Sequence, residues 1–93
     1  MMLSKDQKKT LQEAVLEFLA VRHNQGFPVS YLASHNGIGR LVDFKYEDFD
    51  VAEALAVLCG LGLVKESRAW GSSLKEYTIT DDGAKLRYER NKE

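Results

Sequence analysis

DFDVAEALAVLCGLGLV, residues 48–64, decides how the rest of the chain is read. It opens on acids, continues as nearly uninterrupted apolar sequence and closes on two glycines. Asp48 or Asp50 can cap a helix, because a carboxylate there accepts bonds from the free amides of the first turn. Val51, Leu55, Leu58 and Cys59 then follow the i, i+4, i+7, i+8 spacing of a helix with one buried stripe. Ala52, Ala54, Ala56 and Val57 keep the other sides small or apolar. Gly60 and Gly62 end the helix, and Gly62 lets the chain turn directly into a strand.

Upstream, Ser4 is the expected cap of a first helix reaching about Asn24, with Leu11, Ala14, Val15, Phe18 and Leu19 on its apolar stripe. Asn24-Gln25-Gly26 ends it, with Gly26 in a left-handed conformation, and Pro28 enforces the stop. A short second helix starts at Pro28, with Val29, Leu32 and Ala33 on its apolar face. Residues 37–47, GIGRLVDFKYE, fit neither period. They read either as an extension of the second helix after a break or as an irregular connector that partly buries Ile38, Leu41, Val42 and Phe44.

Downstream, Leu63–Ala69 and Leu74–Thr80 read as two strands, with Trp70-Gly71-Ser72-Ser73 as the turn between them. Tyr77 and Ile79 alternate with Glu76 and Thr78, as a half-buried antiparallel strand requires. Thr80 caps a last helix from Asp81 to about Asn91, acidic at its start and basic later. Tyr77, Ile79 and Leu86 are expected to seal its underside.

The order helix, helix, helix, hairpin, helix resembles the winged helix-turn-helix. Two phrases sharpen the resemblance. LAVLCGLGLVKE, Leu55–Glu66, is similar to the family phrase in which a helix ends in Leu-x-x-x-Gly-Leu-Val and runs into the first wing strand. YTITDDGAKL, Tyr77–Leu86, is similar to Tyr-x-Leu-Thr-x-x-Gly-x-x-Leu, where the second wing strand turns into the closing helix; Ile79 stands where Leu is frequent. The pattern resembles bacterial and archaeal regulators of the MarR, PadR and ArsR type. It implies a mainly α fold with a small β-hairpin, one winged-helix domain over residues 1–93, and a DNA-binding transcription regulator. Regulators of this kind commonly pair through their terminal helices, which points to a homodimer with Leu3, Leu11, Leu16, Leu86 and Tyr88 as candidates for that face. One departure is plain: the family joins its second and third helices by a tight turn, and here Ser34 to Glu47 intervenes.

Charge complicates the DNA reading. The 93 residues carry a net charge of −1, so no global basic field draws in nucleic acid. A recognition helix presents donors and cations to base edges and phosphates. The third helix offers Glu47, Asp48, Asp50 and Glu53 instead, and phosphate repels each exposed carboxylate. The wing is the better candidate. Lys65, Arg68 and Lys75 are its cations and Ser72 and Ser73 its tip, with Arg40, Lys45 and Tyr46 of the connector near the groove. Trp70 is a candidate protein-contact anchor. Two partners are therefore weighed: double-stranded DNA held mostly by the wing, or a protein docked on the acidic third helix or Trp70.

Other classes find little footing. Cys59 is the lone cysteine, and His23 and His35 have no third ligand beside them, so neither a disulfide within the chain nor a metal site is expected. No catalytic arrangement or phosphate loop declares itself, and neither an enzyme nor a cofactor is expected. The opening MMLSKDQKKT lacks the apolar core of a leader, and no apolar run is long enough for a membrane helix; a cytoplasmic location is the expectation.

Overall fold

The computed structural model describes residues 3–22, 25–68 and 75–92, with side chains up to residue 86. Helix α1 (Lys5–Val21) starts on a capping box: Ser4 Oγ accepts from the Gln7 amide at 3.1 Å, and Gln7 Oε1 accepts from the Ser4 amide at 2.9 Å. Leu11, Val15, Phe18 and Leu19 form the buried stripe that the spacing predicts. The helix closes at Arg22, two residues earlier than expected, and Arg22 lies over the Phe18 ring at 3.9 Å. Gly26 does not take the left-handed conformation expected of it. Among the described residues Gly62 is the glycine with positive φ.

Phe27 forms an isolated bridge to Tyr77, exchanging amide–carbonyl bonds of 3.0 and 2.9 Å, and so ties the segment before α2 to the hairpin. Helix α2 (Val29–Ala33) is a single turn and a half. A 3₁₀ turn (Ile38–Arg40) and an irregular path to residue 47 follow, so of the two readings of this stretch the connector is correct. Ile38 is fully buried and Val42 and Phe44 half-buried. Leu41 is 44% exposed, against the expectation of partial burial, because it follows the 3₁₀ turn on the solvent side.

Helix α3 (Asp48–Gly60) is capped by Glu47, one residue before Asp48 and three before Asp50, the two expected caps. Asp50 sits at the third helical position, where its Oδ2 accepts from the Glu47 amide at 2.9 Å. The far end is a Schellman motif. The Leu63 amide bonds to the Leu58 carbonyl, and the Gly62 amide to the Cys59 carbonyl, both at 3.0 Å, with Gly62 at φ 76°. This turn aims the chain into β1 (Val64–Arg68), which pairs antiparallel with β2 (Lys75–Ile79).

Helix α4 (Asp81–Lys92) is anchored by Thr80. Its Oγ1 donates to the Gly62 carbonyl at 2.7 Å and accepts from the Gly83 amide at 3.0 Å, tying the exit of α3 to the entry of α4. A Cβ on Gly83 would collide with the Leu63 carbonyl oxygen, which is why this position is glycine. Tyr77 and Ile79 are buried as predicted, but Leu86 is 37% exposed and does not seal the underside. One apolar cluster joins α1, α2, the 3₁₀ turn, α3 and both strands. Three helices, a two-stranded wing and a closing helix make a winged helix-turn-helix.

Candidate nucleic-acid interface

Helix α3 occupies the place of a recognition helix, and its two sides differ completely. Val51 and Leu55 are 0% exposed and Leu58 is 3% exposed, facing α1 and the core. The outward side carries Asp48, Phe49, Glu53, Ala56, Val57 and Gly60. Phe49 is 60% exposed and Val57 40%. No lysine, arginine, serine, threonine, asparagine or glutamine occurs anywhere in the helix. Of the four acids expected to face outward there, Asp50 is in fact buried, turned back to hold the helix start. Glu53 forms an ion pair with Lys8 at 3.7 Å, both half-exposed. The surface that would face bases therefore offers the exposed carboxylates of Glu47, Asp48 and Glu53 and no side-chain N–H or O–H donor.

The hairpin carries the cations, and its register sorts them. Val64 opposes Ile79, Glu66 opposes Tyr77 and Arg68 opposes Lys75. Side chains alternate across a strand, so these six share the face that packs on the core at one end. Arg68 and Lys75 stand at its outer end, both exposed. Lys65 points to the opposite face, with Thr78 across from it. The three basic residues expected to form one wing patch are thus two and one. Lys75 lies 3.6 Å from Glu66, a surface pair of the kind that contributes little and can be exchanged for a phosphate. Lys65 and Arg68 form no ion pair among the described residues. Trp70, Ser72 and Ser73 lie outside the described residues, as does His23.

The connector residues are dispersed. Arg40 is exposed at the end of the 3₁₀ turn. Lys45 is also exposed but borders the start of α1, beside Leu3 and Gln7. Tyr46 is not a free groove contact: its hydroxyl donates to the Ala33 carbonyl at 2.9 Å and fastens the connector to α2. Burial, helped by the nearby Asp48 carboxylate, raises its pKa.

Two residues on α2 were not singled out from the sequence: Ser30 and Tyr31 are exposed, and Tyr31 stacks on Phe27 at 5.2 Å. The spacing held the signal, since a helix that turns Val29, Leu32 and Ala33 inward must turn these two out. The terminal-helix face expected for a dimer is largely used up inside the chain. Leu11 and Leu16 are 1% and 4% exposed, and Leu3 is half-buried. Of that set Leu86 remains exposed, beside Leu61, which is 64% exposed; the Tyr88 side chain lies outside the described residues.

Cys59 is half-buried on α3, and burial first, then Glu66, raises its thiol pKa, the opposite of an activated nucleophile. Among the described residues no three metal-ligating side chains converge, and no helix is long and apolar enough to cross a membrane.

No protein-family model matches the chain, and no curated protein does. Solved structures do. A double mutant of ZitR from Lactococcus lactis, in apo form, superposes with a TM-score of 0.68 at 24% identity, covering 94% of this chain and 58% of that one. A second structure of that mutant gives the same TM-score and identity over 99% of this chain and 59% of the other. A transcriptional regulator from Clostridium thermocellum gives 0.69 at 15% identity, over 98% of this chain and 86% of that one. The chain thus spans under three fifths of the ZitR chain. At these identities the likeness is one of fold: the winged helix-turn-helix is shared along nearly the whole chain.

Proposed function

We propose that this chain is a winged-helix DNA-binding module of a transcription regulator, holding duplex DNA by its phosphate backbone through the wing rather than reading bases with α3. The observation that carries the reading is the division of charge. Helix α3 has no basic residue among its 13, while Arg68 and Lys75 stand side by side on one hairpin face. The fold shared with a transcriptional regulator supports the same role by analogy. Arg68 and Lys75 make the principal contacts, with Ser72 and Ser73, which lie between the two strands in sequence, as further candidates. Lys65, Arg40 and Lys45 add charge around them. Such binding is weakly sequence-specific, because phosphate contacts position a protein without reading sequence.

Fluorescence anisotropy with a random-sequence duplex, scanned from low to physiological salt, tests it. The logarithm of affinity should fall linearly with the logarithm of salt. Arg68→Ala with Lys75→Ala should flatten that slope by about 2, near 0.9 for each phosphate no longer neutralised. Absence of binding at low salt would sink the proposal, and an unchanged slope in the double variant would remove the wing from it.

A second reading rests on a different observation. Phe49, Val57 and Leu61 are large, apolar and 40–64% exposed on or just after α3. That surface suits a protein partner better than a duplex. A chain that stays off DNA at every salt concentration would favour this alternative.

A further inference from the structure

The long connector between α2 and α3 does more than join them. It folds back against the start of α1 and leaves a cleft of about 530 Å³, within the size range of small-molecule sites. Phe44 and Tyr46 line it from the connector, their rings edge-to-face at 6.5 Å and 76°. Leu3, just ahead of α1, and Gln7 in its first turn also line it, and the Gln7 side chain is committed to the capping box. Asp50 completes it from the first turn of α3.

Asp50 is what gives the cleft a chemistry. It is 6% exposed, the one buried charged residue among those described. Its Oδ2 accepts from the Glu47 amide at 2.9 Å, which takes one of the roughly four acceptor positions of a carboxylate. A buried carboxylate on a cleft wall has acceptor capacity for a further donor. Of the charged residues on the lining, Glu47 and Asp50 outnumber Lys45 by two to one, so the lining is net −1, and Lys45 is exposed enough to swing away. The start of a helix favours an anion in general, but here Glu47, Asp48 and Asp50 already answer that dipole. Aromatic rings beside a carboxylate favour a cation with an apolar body.

We propose that this cleft binds a small organic cation, its ammonium on Asp50 and its apolar body against Phe44 and Tyr46. Such a ligand touches the connector and the first turn of α3 at once, and so adds to the hold that the Tyr46–Ala33 hydrogen bond gives the connector on α2.

The test is an amide-resolved NMR titration of the full chain with benzylammonium chloride, against benzoate as a probe of the same ring and opposite charge. No DNA is present, so the result is independent of the wing reading. Saturable shifts at Gln7 and residues 44–50 are expected, with a dissociation constant on the order of 1 mM for so small a ligand. Asp50→Asn should weaken binding at least about tenfold, since it keeps an acceptor for the Glu47 amide but removes the charge. Phe44→Leu should weaken it about threefold or more and serves as the deciding variant where Asp50→Asn loses its dispersed spectrum. Equal binding of benzoate, shifts scattered away from the cleft, no saturation by ~20 mM probe, or unchanged affinity in the folded variants would each overturn the proposal.

Discussion

The two sides of α3 make the sharpest contrast in the molecule. The inward side holds Val51, Leu55 and Leu58 at 0–3% exposure, and the outward side leaves Phe49 at 60%. One helix is thus a core element and a solvent surface, and only the first role is needed to build the fold. Position in a winged helix-turn-helix assigns α3 to the groove; chemistry does not. The contrast can be broken by substitution. Leu55→Ala should cost about 2–5 kcal/mol by leaving a cavity that the core cannot close. Phe49→Ala should stay within about 0.5 kcal/mol, as surface changes do. Chemical denaturation of both variants reads the difference. Similar costs would mean that Phe49 is covered in solution, by a second copy or another part of the chain.

A second pair tests the end of the helix, where the backbone and not the side chain decides. Gly62 sits at φ 76° with open space around a Cβ, so Gly62→Ala meets no clash and pays only for the left-handed backbone, about 1–2 kcal/mol. Gly60 is helical, and a Cβ there also meets nothing within 4 Å. Gly60→Ala should therefore raise stability by about 0.5–1 kcal/mol. Two glycines two residues apart should respond with opposite sign in thermal melts. A loss at both positions would place the exit of α3 elsewhere than in the Schellman turn.

These same places show what the sequence could and could not disclose. The α3–β1 junction and the Thr80–Gly83 corner were legible because each is made by residues close in sequence with distinctive demands. The α1 stripe and the buried Tyr77 and Ile79 were legible because burial follows a simple period. The connector was not, since its fastening runs from Tyr46 to Ala33, thirteen residues back, and no local pattern marks such a bond. Asp50 was misplaced for a related reason: an acid at the third helical position can face water or turn back to the cap, and spacing alone does not choose. The wing is an instructive case. Its cations were found by type, but Lys65 and Arg68 are an odd number of residues apart, so strand alternation already put them on opposite faces.

The smallest effect separates the connector from the rest. Tyr46→Phe deletes the hydroxyl that donates to the Ala33 carbonyl and should cost about 1 kcal/mol at neutral pH. The pH dependence of that gap is the finer test. Burial raises the Tyr46 pKa above its ordinary value, and burial likewise raises Cys59 and Tyr77. A group whose folded pKa is raised contributes stability below its unfolded pKa and loses it as pH rises through the folded value. The native chain should therefore weaken on the alkaline side, first above about pH 8.5 where the unfolded thiol ionises and then near about pH 10 where the unfolded phenols do. The Tyr46→Phe variant has no phenol to ionise at that position, so it should weaken less steeply and the gap between the two should narrow as pH rises. Urea midpoints at neutral pH and near pH ~10.5 measure it. A gap that stays constant would mean that the Tyr46 phenol is equally free to ionise in the folded and unfolded chains, and that the connector is not held by it.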